Sequence, residues 1–141
     1  MKLEASVIVP TYKRGKMFFR CLEFLGRQTF PKNKFEIIAI HDGINCEYNS
    51  KEINRLYSKL KNLKFFKVSH RGVASARNFG IKNSKGKYIL TIDDDCRADK
   101  DWIANFIKYM ENNKNFVAAG GTTKSVTPKT FIQKYISFKG A

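Results

Sequence analysis

Long hydrophobic runs, paired cysteines and negative charge are what this 141-residue sequence has least of. No apolar stretch approaches the roughly 18 residues that a membrane span needs, so no transmembrane segment is expected. Met1-Lys2-Leu3-Glu4 places an acid fourth with no long apolar core behind it, which argues against a signal peptide. The three cysteines, Cys21, Cys46 and Cys96, are an odd number without CxxC or zinc-type spacing. They point to free thiols in a reducing, cytoplasmic compartment rather than to a disulfide framework. No G-x-G-x-x-G follows the first strand-like segment, and neither a P-loop pattern nor a G-x-S-x-G elbow occurs, which disfavours dinucleotide, P-loop and serine-hydrolase chemistry. His41 and His70 are not at metal-ligand spacing.

Acids number 12 against 27 Lys and Arg, a formal charge of +15. Such a balance suggests a nucleic-acid partner, because cations gain affinity for phosphates by releasing counter-ions. The distribution weakens that idea: 20 of the cations are Lys and only seven are Arg, the residue suited to bidentate phosphate and guanine contacts. Lys and Asn are spread evenly, as on a solvated surface, and no specific nucleic-acid partner is expected. Attraction to an anionic substrate or to a membrane surface is the alternative. The acids are far less even. Five of the six Asp fall between Asp93 and Asp101, and Asp93, Asp94 and Asp95 are consecutive.

What the sequence does have is periodic apolar content at 43%, enough for one compact domain over residues 1–141. Leu3 to Val9 is expected to be a strand stopped by Pro10. Phe18, Cys21, Leu22 and Leu25 mark one face of a helix from Lys16 to Gln28. Phe35 to Ile40 is a second strand, and Asn49 or Ser50 is positioned to cap a helix carrying Ile53, Leu56, Tyr57 and Leu60. Leu63 to Val68, a helix from Val73 to Asn83, and a strand from Tyr88 to Ile92 follow. Asp99 or Lys100 opens a helix with Trp102, Ile103, Phe106, Ile107 and Met110 inward. A short strand is expected from Phe116 to Ala119, and an amphipathic segment after Pro128 carries Phe131, Ile132, Tyr135 and Ile136. Strand alternating with helix implies an α/β fold with a mainly parallel sheet covered on both faces. Ligands of such sheets bind beyond the carboxyl ends of the strands. Pro10-Thr11-Tyr12-Lys13-Arg14, His41-Asp42-Gly43 and Asp93-Asp94-Asp95 should therefore converge.

Three adjacent carboxylates at the end of a core strand need a cation or hydrogen-bond donors. Mg²⁺ or Mn²⁺, which take oxygen ligands and share them with substrate phosphates, fits that need. For Asp99 and Asp101, a role at the next helix's N-terminus is the simpler account. The Tyr12 ring can stack on a nucleobase or be an ordinary surface tyrosine. Asp42 can accept from a base N–H or a ribose hydroxyl, or form a turn with Gly43. Arg71 and Arg77, with Gly72 allowing close approach, can meet phosphates or a base edge, or form salt bridges to the acidic triplet.

Taken together, Ser6-Val7-Ile8-Val9-Pro10-Thr11-Tyr12-Lys13-Arg14, Asp42-Gly43, Arg71 to Ile81 and Gly86 to Asp95 resemble the N-terminal, nucleotide-sugar-binding half of a family 2 glycosyltransferase of GT-A fold. The resemblance covers nearly the whole chain. It implies a three-layer α/β/α architecture and an inverting, hexosyl-type transfer from a nucleotide-sugar, most often a UDP-sugar, to an acceptor hydroxyl. Pro10, Thr11, Tyr12, Arg14, Asp42, Arg71, Arg77, Asp93 and Asp94 would form the nucleotide site. Tyr12 would stack on the base, Asp42 would hydrogen-bond it and Arg77 would line the pocket. The triplet would hold the DxD motif, with Asp95 and Asp93 as ligands of Mn²⁺ or Mg²⁺. The implied acceptor is a lipid-linked or cell-surface glycan, met by a cytoplasmic protein that is peripheral at the membrane. Two departures are visible: His41 stands where the family commonly has Asp, and the acceptor-side half with its catalytic Asp has no counterpart. No acid follows Gly120-Gly121, and no general base is evident. The rival expectations are a nucleotide-sugar-binding module that works with a partner chain or as a homo-oligomer, and a basic nucleic-acid binder.

Overall fold

The computed structural model describes residues 2–45 and 48–124. Four strands and four helices alternate: β1 (Ala5–Thr11), α1 (Gly15–Gly26), β2 (Phe35–Asp42), α2 (Ser50–Lys59), β3 (Leu63–Val68), α3 (Val73–Lys82), β4 (Tyr88–Thr91) and α4 (Trp102–Asn112). The strands form one parallel sheet in the order β3-β2-β1-β4. The β-branched runs of β1 and β2 supply its middle, where every residue is buried.

Alternate residues of the sheet feed two cores. Val7, Val9, Ile37 and Ala39 face α1, α2 and α4 and pack with Phe18, Leu22, Leu56, Ile103 and Ile107. Ile8, Ile38 and Ile40 face α3 and pack with Ala76. Helix α3 lies close because Gly80 has no side chain: a Cβ there would sit 2.6 Å from Ile8 Cγ2 and 2.8 Å from Ile40 Cδ1. The fold is thus the expected three-layer α/β/α arrangement, with α3, among the described residues, the one helix on the second face of the sheet.

Helix α2 starts as the sequence predicts. Asn49 Oδ1 accepts from the Glu52 N–H at 2.9 Å, and Glu52 Oε2 accepts from the Asn49 N–H at 3.0 Å, a reciprocal capping box. Pro10 does not stop β1, which runs on to Thr11 beside His41. The Ile8 carbonyl accepts from the Ile92 N–H on the β4 side. Pro10, two residues on, turns its missing N–H to that same side, beyond the last β1–β4 pair, Ile8 with Thr91. The expected strand from Phe116 to Ala119 is not formed. That stretch pairs with no strand among the described residues, and Phe116 and Val117 are exposed. A short apolar run without a partner ladder leaves its backbone polar groups to water. The amphipathic segment after Pro128 lies outside the described residues. Among the described residues, no helix is long and apolar enough to cross a membrane.

Candidate nucleotide-binding site

From β1 the chain steps to β2 and β3 on one side, then returns to place β4 on the other. The order therefore reverses between β1 and β4, and a parallel sheet opens a crevice at such a point. A cleft of about 390 Å³ lies there, at the carboxyl ends of the strands. It is lined by Pro10 and Thr11 at the end of β1, by Tyr12 and Arg14 after it, by Asp42 of β2, by Arg77 of α3, and by Asp93, Asp94 and Asp95 after β4. Each of the three strand ends expected to converge contributes to the cleft, though Lys13, His41 and Gly43 do not line it. Arg71 is the exception among the residues predicted for the nucleotide site and does not line the cleft; it contributes its backbone N–H to Asp42 instead.

The β1–α1 turn depends on Lys13, whose φ of 52° is in the left-handed region. For a residue with a Cβ that conformation costs on the order of 1 kcal/mol or more. The turn sends Arg14 over the acidic triplet. Its Nη1 lies 3.0 Å from Asp95 Oδ2 and 3.5 Å from Asp94 Oδ1. Arg77 holds Asp93 through Nη2, so of the two arginines considered for a salt bridge to the triplet, Arg77 makes one. Its Nε is buried without a hydrogen-bond partner, a donor the folded chain leaves unused.

Asp94 is the buried member of the triplet, and Thr11 Oγ1 donates to its Oδ2 at 2.7 Å. Thr11 uses its only proton in that bond, so Tyr48 O–H, 3.2 Å away, donates to Thr11 in turn. Burial raises the Asp94 carboxyl above its ordinary range, against the Thr11 hydrogen bond and the Arg14 charge, which lower it. Behind the triplet, burial pushes the Cys21 thiol up to about 12, and the three nearby aspartates add to the shift. Burial likewise raises Cys96, with Asp95 beside it.

Asp42 is buried, and its two oxygens accept from the backbone N–H groups of Arg71 and Gly72, each at 2.9 Å. A carboxylate at the N-terminus of α3 is well placed against the helix dipole. Gly72, the residue preceding α3, adopts φ 90°, which a side chain would oppose. His70 Nδ1 approaches both the Asp42 carbonyl, at 2.9 Å, and Oδ2, at 2.8 Å. Facing two acceptors, Nδ1 must carry the proton. The His70 ring stacks on Tyr12 with centroids 4.2 Å apart and planes at 16°. In the sequence His70 stands out only as a possible metal ligand, not as a partner of Tyr12 and Asp42. Its place two residues past β3, at another strand end on the same side of the sheet, is the signal that marks it. His41 is fully buried, with Nδ1 2.8 Å from the Gly43 carbonyl.

Among the described residues no preformed cluster of three metal-ligating side chains is present. The donor set nevertheless fits a hard divalent cation that takes most of its ligands from phosphate and water. Asp93 and Asp95 are exposed carboxylates, and the Arg14 guanidinium already shows that a positive charge is accepted between Asp94 and Asp95.

Comparison with known proteins agrees with this geometry. The chain is 36% identical over 126 residues to an uncharacterized glycosyltransferase of Rickettsia felis, covering 89% of this chain and 20% of the relative. It is 29% identical over 137 residues to glycosyltransferase AglE of Haloferax volcanii, covering 94% of this chain and 44% of that one. To the poly(ribitol-phosphate) beta-glucosyltransferase of Bacillus spizizenii it is 27% identical over 137 residues, or 94% of this chain and 22% of that one. The chain thus spans from a fifth to less than half of these relatives. Among solved structures, S. aureus TarS 1-349 in complex with UDP superposes with a TM-score of 0.69 at 29% identity, over 79% of this chain and 33% of that one. Mannosyltransferase PcManGT of Pyrobaculum calidifontis, solved with GDP-Man and Mn²⁺, shares the fold with a TM-score of 0.67 at 23% identity, over 78% of this chain and 33% of that one. These structures are GT-A transferases, and the family described as Glycosyl transferase family 2 matches residues 6–139: the chain belongs to that family.

Proposed function

We propose that residues 1–141 form the donor-binding part of a glycosyltransferase that takes a nucleotide-sugar and a divalent metal and transfers the sugar, with inversion, to an acceptor hydroxyl. The observation that carries this is the gathering of an aromatic ring, an anchored Asp and two arginine-held carboxylates in one cleft at the switch point. Tyr12 offers its ring to the base, and Asp42 fixes the 70–72 backbone beside it. Arg14 and Arg77 face the diphosphate, and Asp94 meets the ribose. Asp95 and Asp93 would hold Mn²⁺ or Mg²⁺, which when bound neutralises the charge developing on the departing nucleoside diphosphate. A UDP-sugar is the preferred donor, since the TarS structures hold UDP and UDP-GlcNAc. The net charge of +15 suits an anionic acceptor, such as the poly(ribitol-phosphate) on which the Bacillus and Staphylococcus relatives act.

A second reading has its own support. The four cleft carboxylates are each engaged by arginine, hydroxyl or backbone donors, and in the reading above they serve the nucleotide and the metal rather than an acceptor hydroxyl. Transfer would then need residues from elsewhere, and the chain alone would be a nucleotide-sugar-binding module completed by further polypeptide.

Calorimetric titration with UDP and with GDP, each with and without Mn²⁺, tests the proposal on the wild type and on Asp95→Ala. Metal-dependent binding of UDP by the wild type, weakened at least about tenfold in the variant, is the expected result. Absence of metal-dependent nucleotide binding in the wild type overturns the proposal.

A further inference from the structure

The acidic triplet is neutralised from within. Asp93 is held by Arg77, and Asp94 and Asp95 share Arg14, so three carboxylates meet two guanidinium groups and the cluster keeps one negative charge. A divalent cation entering alone would reverse that charge. A doubly negative diphosphate entering alone would leave an excess of negative charge facing the cleft. Both together restore the starting balance. Arg14 is the more exposed of the two cations in this arrangement. Its side chain is 54% exposed, and its contact to Asp95, itself 47% exposed, is a surface ion pair. Such pairs are weak and break readily. Arg77 is the less exposed of the two, at 35%, and its Nε is buried.

We propose that Arg14 is an exchangeable counter-ion: it occupies the Asp94–Asp95 pair in the free protein and moves to the diphosphate when donor and divalent cation arrive together. This rests on the function proposed above and adds a property to it. Arg14 competes with the cation in the absence of nucleotide and assists it in the presence of nucleotide. Cation and nucleotide binding are thereby coupled, and because such coupling is reciprocal, each tightens the other by the same factor.

The test uses Mn²⁺ and UDP on the 141-residue chain. Free Mn²⁺ is followed by electron paramagnetic resonance, with and without saturating UDP, for the wild type, Arg14→Gln and Arg14→Lys. In the wild type, UDP should tighten Mn²⁺ binding about tenfold or more. In Arg14→Gln, Mn²⁺ alone should bind about three- to tenfold tighter than in the wild type, and the tightening by UDP should shrink by a similar factor. Arg14→Lys keeps the charge but loses the fork that spans two carboxylates, so it should lie between the two. Should Arg14→Gln not fold, Arg14→Lys carries the same test by the direction of its shift. If the variants bind Mn²⁺ alone no tighter than the wild type while UDP and Mn²⁺ still bind together, the exchange is overturned and the donor site stands. If the wild type binds no UDP with Mn²⁺, the proposed function fails and the exchange falls with it.

Discussion

Tyr12 carries the most direct prediction at the scale of single residues. Its ring is stacked on His70, which is tied through Nδ1 to Asp42, so ring, imidazole and buried carboxylate form one unit beside the cleft. Stacking of a base on an aromatic ring is worth roughly 1–3 kcal/mol. Tyr12→Ala should therefore weaken UDP binding by about five- to 150-fold in calorimetry, whereas Tyr12→Phe, which keeps the π face, should stay within about threefold of the wild type. Equal losses in both variants would show that the hydroxyl, not the ring, matters. Individual acids and aromatics of this site were legible in the sequence because a strand end followed by an unusual residue is a local signal. Their partners were not. Nothing in the spacing of Arg14 and Asp95 says that they meet, since that contact depends on the left-handed turn at Lys13, a conformation no residue-type rule assigns to lysine.

Strands and helices were readable wherever a segment carries its own periodicity and finds a partner. The apolar runs of β1 and β2 and the one-sided faces of α1, α2 and α4 meet both conditions. Phe116 to Ala119 meets only the first, and it remains irregular. At the opposite end of the sheet from the cleft, the α3–β4 turn is fastened by Glu36, a contact between elements that periodicity does not reveal. Its Oε1 accepts from Ser6 Oγ at 2.7 Å and from the Lys85 N–H at 2.7 Å, and its Oε2 accepts from Lys64 Nζ at 2.6 Å. Gly86 then packs so close to β1 that a Cβ would lie 2.3 Å from the Ala5 carbonyl carbon. Burial raises the Glu36 carboxyl, but the hydrogen bonds from Lys64, Ser6 and Lys85 outweigh it and hold the group below its ordinary value of 4.5. A lowered carboxyl stabilises the fold above its unfolded value and loses that contribution as pH falls below about 4.5. Glu36→Gln should cost about 1–3 kcal/mol in urea unfolding at pH 7. It should also show a shallower loss of stability than the wild type between pH 5 and pH 3. An unchanged acid slope would remove Glu36 from this role.

The molecule is basic, and four of its twelve acids, Asp42 and Asp93 to Asp95, meet at the carboxyl end of the parallel sheet. The charge of +15 describes the surface, while the acids between Asp93 and Asp95 describe the site. The sequence made the layered α/β architecture legible because the order of elements leaves few alternatives. That alternation also pointed to the strand ends that line the cleft, whereas the order β3-β2-β1-β4, with its reversal at β1, came only with the structure. The chain spans a fifth to less than half of its Rickettsia felis and Haloferax volcanii relatives. The measurement closest to the central claim is a ¹H–¹⁵N correlation spectrum of the chain titrated with UDP in the presence of Mg²⁺. Saturable shifts confined to Tyr12, Arg14, Gly72, Arg77 and the Asp93–Asp95 segment are the result predicted here. Shifts absent altogether, or scattered over the lysine-rich surface and abolished by moderate salt, would contradict it.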